Sequence, residues 1–218
     1  MEHVRDSTGS SNAPSRRRWR TAEAIAWVTA LVCLSVAGVR YVEGLTGSRQ
    51  SLSRFAELQA AAQLYTGTDF TLWSEARIDA WRKASRLPQP APLGVLRIPR
   101  MQLGVPILPG TEEVTLNQAL GHIDGTATPG SDGNSGIAGH RDGFFRGLKD
   151  IGVGDVIELE TLHTKERYRV DWLVIVNPED VSVLEPTLER SLTLVTCYPF
   201  YFVGPAPKRY IVRAVLVA

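Results

Sequence analysis

Cysteine is almost absent from this chain: of its 218 residues only Cys33 and Cys197 are cysteines. Cys33 sits in an apolar run near the N-terminus and Cys197 closes a β-type run near the C-terminus. A bridge between them would join a membrane-type segment to the end of a strand. A disulfide framework is therefore excluded, and Cys197 reads as a single working thiol. Histidine is scarce too. The four histidines are scattered, and with one available thiol they offer no metal-ligand spacing, so neither metal nor cofactor is expected. An excess of either charge is missing as well, since 24 basic and 23 acidic residues leave a formal net charge of +1. With no basic stripe and no aromatic–basic interleaving, nucleic acid is not expected as a partner.

Residues 1–20 are rich in Ser, Asn and Arg, with almost nothing to bury, and predict a disordered basic tail ending in Arg16, Arg17, Arg18 and Arg20. Ala22 to Val42 is apolar apart from Glu23, Thr29, Ser35 and Arg40. About 20 such residues are what a helix needs to cross a bilayer. A cleaved signal peptide has the same basic-then-apolar order, and a buried core helix is the plainer alternative. The length of the run favours a retained transmembrane anchor over residues 21–42. The arginine cluster then places the N-terminus in the cytoplasm, and everything after Val42 outside, on a periplasmic or cell-wall face.

Residues 43–92 predict a helical stalk and a Pro-rich linker. Leu52, Phe55, Leu58 and Ala62 recur at helical spacing, as do Leu72, Trp73, Ala76, Ile78 and Trp81, with Thr71 or Ser74 as a cap. Leu87 to Pro92 cannot be helical, because each proline removes a donor and restricts its predecessor. From residue 93 to 218 the texture is β. Runs at Gly94–Ile98, Val105–Leu108, Ser135–His140, Val156–Glu160, Arg167–Val176, Leu192–Cys197 and Tyr210–Val217 predict strands, with a short helix at Thr115–Leu120. Many short strands separated by turn residues point to a closed barrel or a sandwich.

Cys197 lies at the rim of the Thr193–Tyr198 run, just before Pro199 and Phe200. A thiol acts as a nucleophile only with a base or cation beside it. His163, in a polar hairpin turn, reads as surface. His140 ends a strand of small residues and opens the polar segment Arg141-Asp142-Gly143, the best position for a base. His122, in Gly121-His122-Ile123-Asp124-Gly125, is equally a substrate-pocket or a structural histidine. Arg209, at the start of the last strand, can hold a carbonyl without joining in proton transfer. Lys208 and Arg213 read as solvated.

Thr193-Leu194-x-Thr196-Cys197, Gly139-His140-Arg141 and Lys208-Arg209 together, in this order, resemble the signatures of the sortases, membrane-anchored cysteine transpeptidases. The similarity runs from about Gly94 to the end, and Ile137–Leu148 and Thr193–Arg213 are similar to class D-like sortases in particular. The resemblance implies a mainly β fold: an eight-stranded sortase-type barrel with short helices. It implies that Cys197 attacks an LPxTG-like C-terminal sorting signal of a client protein and forms a thioacyl-enzyme. An amine on a cell-wall precursor or another protein then resolves it. His140 would carry the proton, Arg209 would steady the oxyanion, and Thr196 would place a hydroxyl near the substrate. The calcium sites of some sortases are not matched by Asp124, Asp132 and Asp142. The alternative from another class is an anchored β domain that binds peptides without catalysis.

Overall fold

A computed structural model describes residues 27–36, 38, 69–201 and 204–217. Eight strands close into a barrel, so the choice between barrel and sandwich falls to the barrel. They are β1 (Gly94–Ile98), β2 (Leu103–Pro109), β3 (Leu120–His122), β4 (Asn134–Ala138), β5 (Val156–Glu160), β6 (Lys165–Val176), β7 (Ser191–Tyr198) and β8 (Lys208–Leu216). Around the barrel the order is β1-β2-β3-β4-β7-β8-β6-β5, and β5 returns to β1. β2–β3 and β4–β7 are parallel pairs and the other six are antiparallel. Closure leaves no free sheet edge.

Alternation along the strands fills the interior. Leu96, Ile98, Ile107, Leu120, Ile137, Leu159, Leu192, Leu194 and Val212 are fully buried, each stabilising the fold by about 2 kcal/mol relative to exposure. The buried Tyr168 hydroxyl donates to Glu166 Oε2 at 2.6 Å. Arg190 pairs with that same Glu166 and with Asp132 Oδ1, the latter at 2.7 Å. Through Arg190, the segment entering β7 is fastened to the segment entering β4.

Helix α1 (Glu75–Ala84) begins as its sequence predicts. Ser74 Oγ accepts from the Arg77 amide, Glu75 sits in the first turn, and Arg82 and Lys83 sit in the last, which suits the helix dipole. α1 belongs to the same compact unit as the barrel, Leu52–Ala218. Buried Gln118, at the end of α2 (Glu113–Gln118), donates to Ala84 O at 2.7 Å. Trp73 meets Phe144 edge-to-face at 4.9 Å, and Phe70 stacks edge-on against Trp73 and Trp81. Residues 87–92 carry neither helix nor strand.

Three elements differ from expectation for local reasons. β3 has only three residues, too few to carry a period. The strand expected to reach His140 stops at Ala138, because His140 O accepts from the Gly143 and Phe145 amides and turns the chain into a 3-10 helix at Phe144–Asp150. A single 3-10 turn, Ser182–Leu184, lies before β7. In the other compact unit, Met1–Ser51, residues 27–36 are helical. Among the described residues no helix is long and apolar enough to cross a membrane. Of the expected span 21–42 only residues 27–36 and 38 are described, and the tail 1–20 and residues 43–68, with the first helical stretch, lie outside the described residues.

Gly139 is the point of closest approach beneath the histidine. A Cβ there would lie 2.7 Å from Phe145 Cδ2 and 2.9 Å from Leu120 Cδ2, and both rotamers are fixed by full burial. Gly139→Ala is expected to lower stability by about 1–3 kcal/mol, read from the denaturant midpoint. A midpoint equal to that of the parent chain would show that this contact relaxes freely.

Candidate active site

β7 is flanked on both sides, parallel to β4 and antiparallel to β8. Its side chains alternate. Leu192, Leu194 and Thr196 point into the barrel and are buried, whereas Val195 and Cys197 emerge on the outer face, each half-buried. Cys197 is a free thiol paired in register with Arg209 of β8, and directly opposite residues bring Cβ atoms to about 5 Å. On the other side Ala138 pairs with Val195. The ladder continues with the Gly139 amide donating to Val195 O at 3.1 Å, so two residues further on His140 comes level with Cys197. Adjacent strands lie about 4.8 Å apart. Cys197, His140 and Arg209 therefore meet at one rim, on one face, across three neighbouring strands.

His140 is mostly withdrawn from water, with 17% of its side chain exposed. Burial, and next the Arg77 guanidinium, push its imidazole below the ordinary histidine range, while Glu113 and Asp142 pull the other way. A neutral imidazole is thus favoured. Arg209 Nη1 donates to Lys208 O at 3.1 Å and Ala206 O at 3.4 Å. No carboxylate of the described residues pairs with it, which leaves its charge for a ligand.

The surrounding segments are pinned by residues whose part the sequence did not disclose. Arg141 Nη1 donates to Pro199 O at 3.0 Å and Nη2 to Gly204 O at 2.9 Å. Arg146 donates to Phe200 O and lies over the Tyr201 ring at 4.1 Å. Both arginines bind the histidine loop to the loop between β7 and β8. Further along the same face Asn134 Nδ2 donates to Val183 O and Glu185 O, and Thr193 Oγ1 donates to Asn134 Oδ1 at 2.7 Å. The 182–184 turn is so laid over β4 that a Cβ on Gly136 would stand 3.1 Å from Leu184 Cδ2. On this face Ala138 and Val195 lie half-buried beside Cys197, with Ile211 buried next to Val195.

The remaining candidates lie elsewhere. Thr196, expected near the substrate, is 2% exposed and donates to Gly139 O at 2.7 Å; being next to Cys197 it must face inward, where it holds the histidine segment against β7. His122 lies on β3 opposite Ile137, three residues back from His140, with Nε2 engaged by Ala127 O at 3.0 Å and Thr126 Oγ1 at 3.2 Å. It shapes its own loop and does not join the cluster. His163 is exposed in the turn between β5 and β6. Lys208 donates to Asn177, and Arg213, expected to be solvated, lies over the Trp172 ring at 5.8 Å. A cavity of 180 Å³ opens between Trp73, Met101, Val105, Phe144 and Arg146. It includes none of the three clustered groups.

Because the folded chain holds His140 neutral, the unfolded chain binds its proton more readily. Stability is therefore fully present above the ordinary histidine value of about 6.5 and is lost as pH falls through the lowered folded value. His140→Gln is expected to reduce this loss, measured as the difference between urea midpoints at about pH 7.5 and about pH 5.5. An identical pH slope in both chains would contradict the neutral assignment.

Comparison with known proteins agrees with this arrangement. The sortase-domain family model matches residues 96–217. Sortase D of Bacillus subtilis (strain 168) is 31% identical over 184 residues, covering 84% of this chain and 90% of the relative. The solved Clostridium perfringens sortase D5 transpeptidase superposes with a TM-score of 0.56 at 27% identity, covering 74% of this chain and 98% of the other. Sortase A from Corynebacterium diphtheriae superposes with a TM-score of 0.55 at 26% identity, covering 77% and 84%. With its closed eight-stranded barrel and its thiol in register with an arginine, the chain belongs to the sortase family of cysteine transpeptidases.

Proposed function

We propose that the chain is a membrane-anchored transpeptidase that cleaves an LPxTG-like sorting signal near the C-terminus of a client protein and passes the client to an amine. The observation that carries this is the convergence of Cys197, His140 and Arg209 on one face at the rim shared by β4, β7 and β8. Cys197 attacks the threonine carbonyl of the signal's Thr–Gly or Thr–Ala bond, and its proton passes to neutral His140. A C–S bond forms, and the developing oxyanion lies against the Arg209 guanidinium, which is worth most where charge appears only in the transition state. The peptide C–N bond breaks as His140 returns the proton to the departing amine. In the second half an incoming amine bonds to the same carbon and gives its proton to His140. The C–S bond then breaks and the sulfur takes that proton back from His140, which restores the thiol and the neutral ring. Thr196 and Gly139 act by holding the two strand ends at one height.

The anchor is part of the same proposal. Residues 27–36 are helical, and Trp27, Leu31 and Leu34 expose 67%, 62% and 69% of their surface, an apolar display that a lipid phase would cover. With Arg16, Arg17, Arg18 and Arg20 on the cytoplasmic side, the barrel lies outside the cytoplasm. There it meets clients and an acceptor amine on a cell-wall precursor or another protein.

Intact-mass measurement after mixing the full chain with LPxTG-like peptides tests the chemistry. The parent chain is expected to gain the mass of the N-terminal peptide fragment, and Cys197→Ala to gain nothing. Arg209→Ala is expected to slow acylation by about 10²–10³-fold. Adding an amine should convert the adduct into an amide in preference to the acid. A chain with intact Cys197 that forms no adduct with any sorting-signal peptide would overturn the proposal.

A further inference from the structure

His140 has a buried neighbourhood that the transpeptidase scheme does not use. Its Nε2 is buried and has no hydrogen-bond partner, yet Glu113 Oε1 stands only 3.5 Å away. The same carboxylate oxygen lies 3.6 Å from Arg77 Nη1 and accepts from Asn117 Nδ2 at 3.1 Å, so Glu113 stands between His140 and Arg77 without a hydrogen bond to either. Arg77 comes from α1, outside the barrel, and is 16% exposed. Its Nε donates to Asp142 Oδ1 at 3.2 Å and its Nη1 to Asn117 Oδ1. The arginine stem runs past the ring through space that Gly143 leaves open. A Cβ at that glycine would lie 3.4 Å from His140 Cβ and 3.6 Å from Arg77 Cδ.

Charged and titratable groups surround the ring at different distances. They are Arg77 from α1, Glu113 from α2, Asp142 and Arg141 from its own loop, Cys197 from β7 and Arg209 from β8. Arg141 is turned to the carbonyls of Pro199 and Gly204. The two carboxylates would favour an imidazolium. Arg77 bonds one of them and stands beside the other, so its charge opposes theirs at the ring.

We propose that Arg77 and Glu113 are positioning residues for His140: Arg77, seated by α1, holds Glu113 and Asp142 off the ring and keeps it a neutral base in the resting enzyme. The proposal rests on His140 as the proton carrier of the scheme above. Glu113, 72% exposed, has room to close on Nε2 whenever Arg77 withdraws. The ring would then be oriented and charged by a carboxylate, as bases in nucleophile–base pairs commonly are. The pH at which the site works is thereby tied to the docking of a helix that lies outside the barrel.

The test is a ring titration by heteronuclear NMR of the full chain in detergent micelles, the His140 signal being assigned by its loss in His140→Asn. Arg77→Gln is expected to raise the His140 midpoint by about one pH unit. Arg77→Lys, which keeps the charge, should hold it near the parent value, and Glu113→Gln should lower it. The acid limb of acylation should move with the midpoint in each variant. An unchanged midpoint in Arg77→Gln, an equal rise in Arg77→Lys, or a rise in Glu113→Gln overturns the proposal. Because the titration needs no substrate, expected midpoints without any acyl-enzyme would refute the transpeptidase scheme and leave the positioning role standing.

Discussion

The parallel pairing of β4 with β7 is the constraint on which the site depends. Parallel neighbours end at the same rim, so the residue just beyond β4 and the residue near the end of β7 are brought level without any special loop. β8, antiparallel to β7, starts where β7 ends and delivers its first residues to that rim. Three side chains from distant parts of the sequence thus share one face because of strand direction and register. A shift of one residue in either ladder would turn Cys197 or Arg209 to the opposite side. The closed barrel holds the register because its interior positions, from Leu192 and Leu194 to Val212, are all buried.

Around that frame the polar contacts divide into two groups with different consequences. Thr196, Arg141 and Arg146 tie the histidine loop to β7 and to the loop that follows it. They fix distance, which governs proton transfer and attack. Arg77, Glu113 and Asp142 surround the ring and fix its charge. Burial already disfavours the imidazolium, and Arg77 adds to that in the same direction. A neutral histidine beside a thiol can take its proton as attack begins, and the same ring can then give it up to the leaving amine. Ala138 and Val195, half-buried on the same face as Cys197, are the surface an extended peptide would meet on its way to the thiol.

Much of this was legible in the sequence, and the limits are physical. β1 and β5 coincide with their alternating runs, and β7 and β8 differ from theirs by two residues or fewer at either end. Cys197, His140 and Arg209 each stand out locally, as a strand-end thiol, a histidine after small residues, and an arginine opening a strand. β3 escaped because three residues carry no period. The inward turn of Thr196 follows from alternation, which assigns opposite faces to Thr196 and Cys197; a hydroxyl beside the nucleophile in sequence is for that reason remote from it in the groove. Arg77 had no sequence signal at all. Its partners Asn117 and Asp142 are 40 and 65 residues away, and helical periodicity marks it only as a polar position. His122 was ambiguous and Arg213 read as solvated for the same reason, since Ala127 and Thr126 beside the one and the Trp172 ring beside the other are neighbours that only the fold identifies.

The central claim is that Cys197, His140 and Arg209 act on one carbonyl at the end of the β4–β7–β8 face. The most direct measurement is a crystal structure of the chain alkylated at Cys197 by a sorting-signal peptide bearing a thiol-reactive ketone. The account predicts the peptide extended over Ala138 and Val195, its carbonyl oxygen within hydrogen-bond distance of the Arg209 guanidinium and its leaving side against the His140 ring. A peptide bound to Cys197 but lying away from that face, with Arg209 and His140 out of reach of the carbonyl, would contradict it.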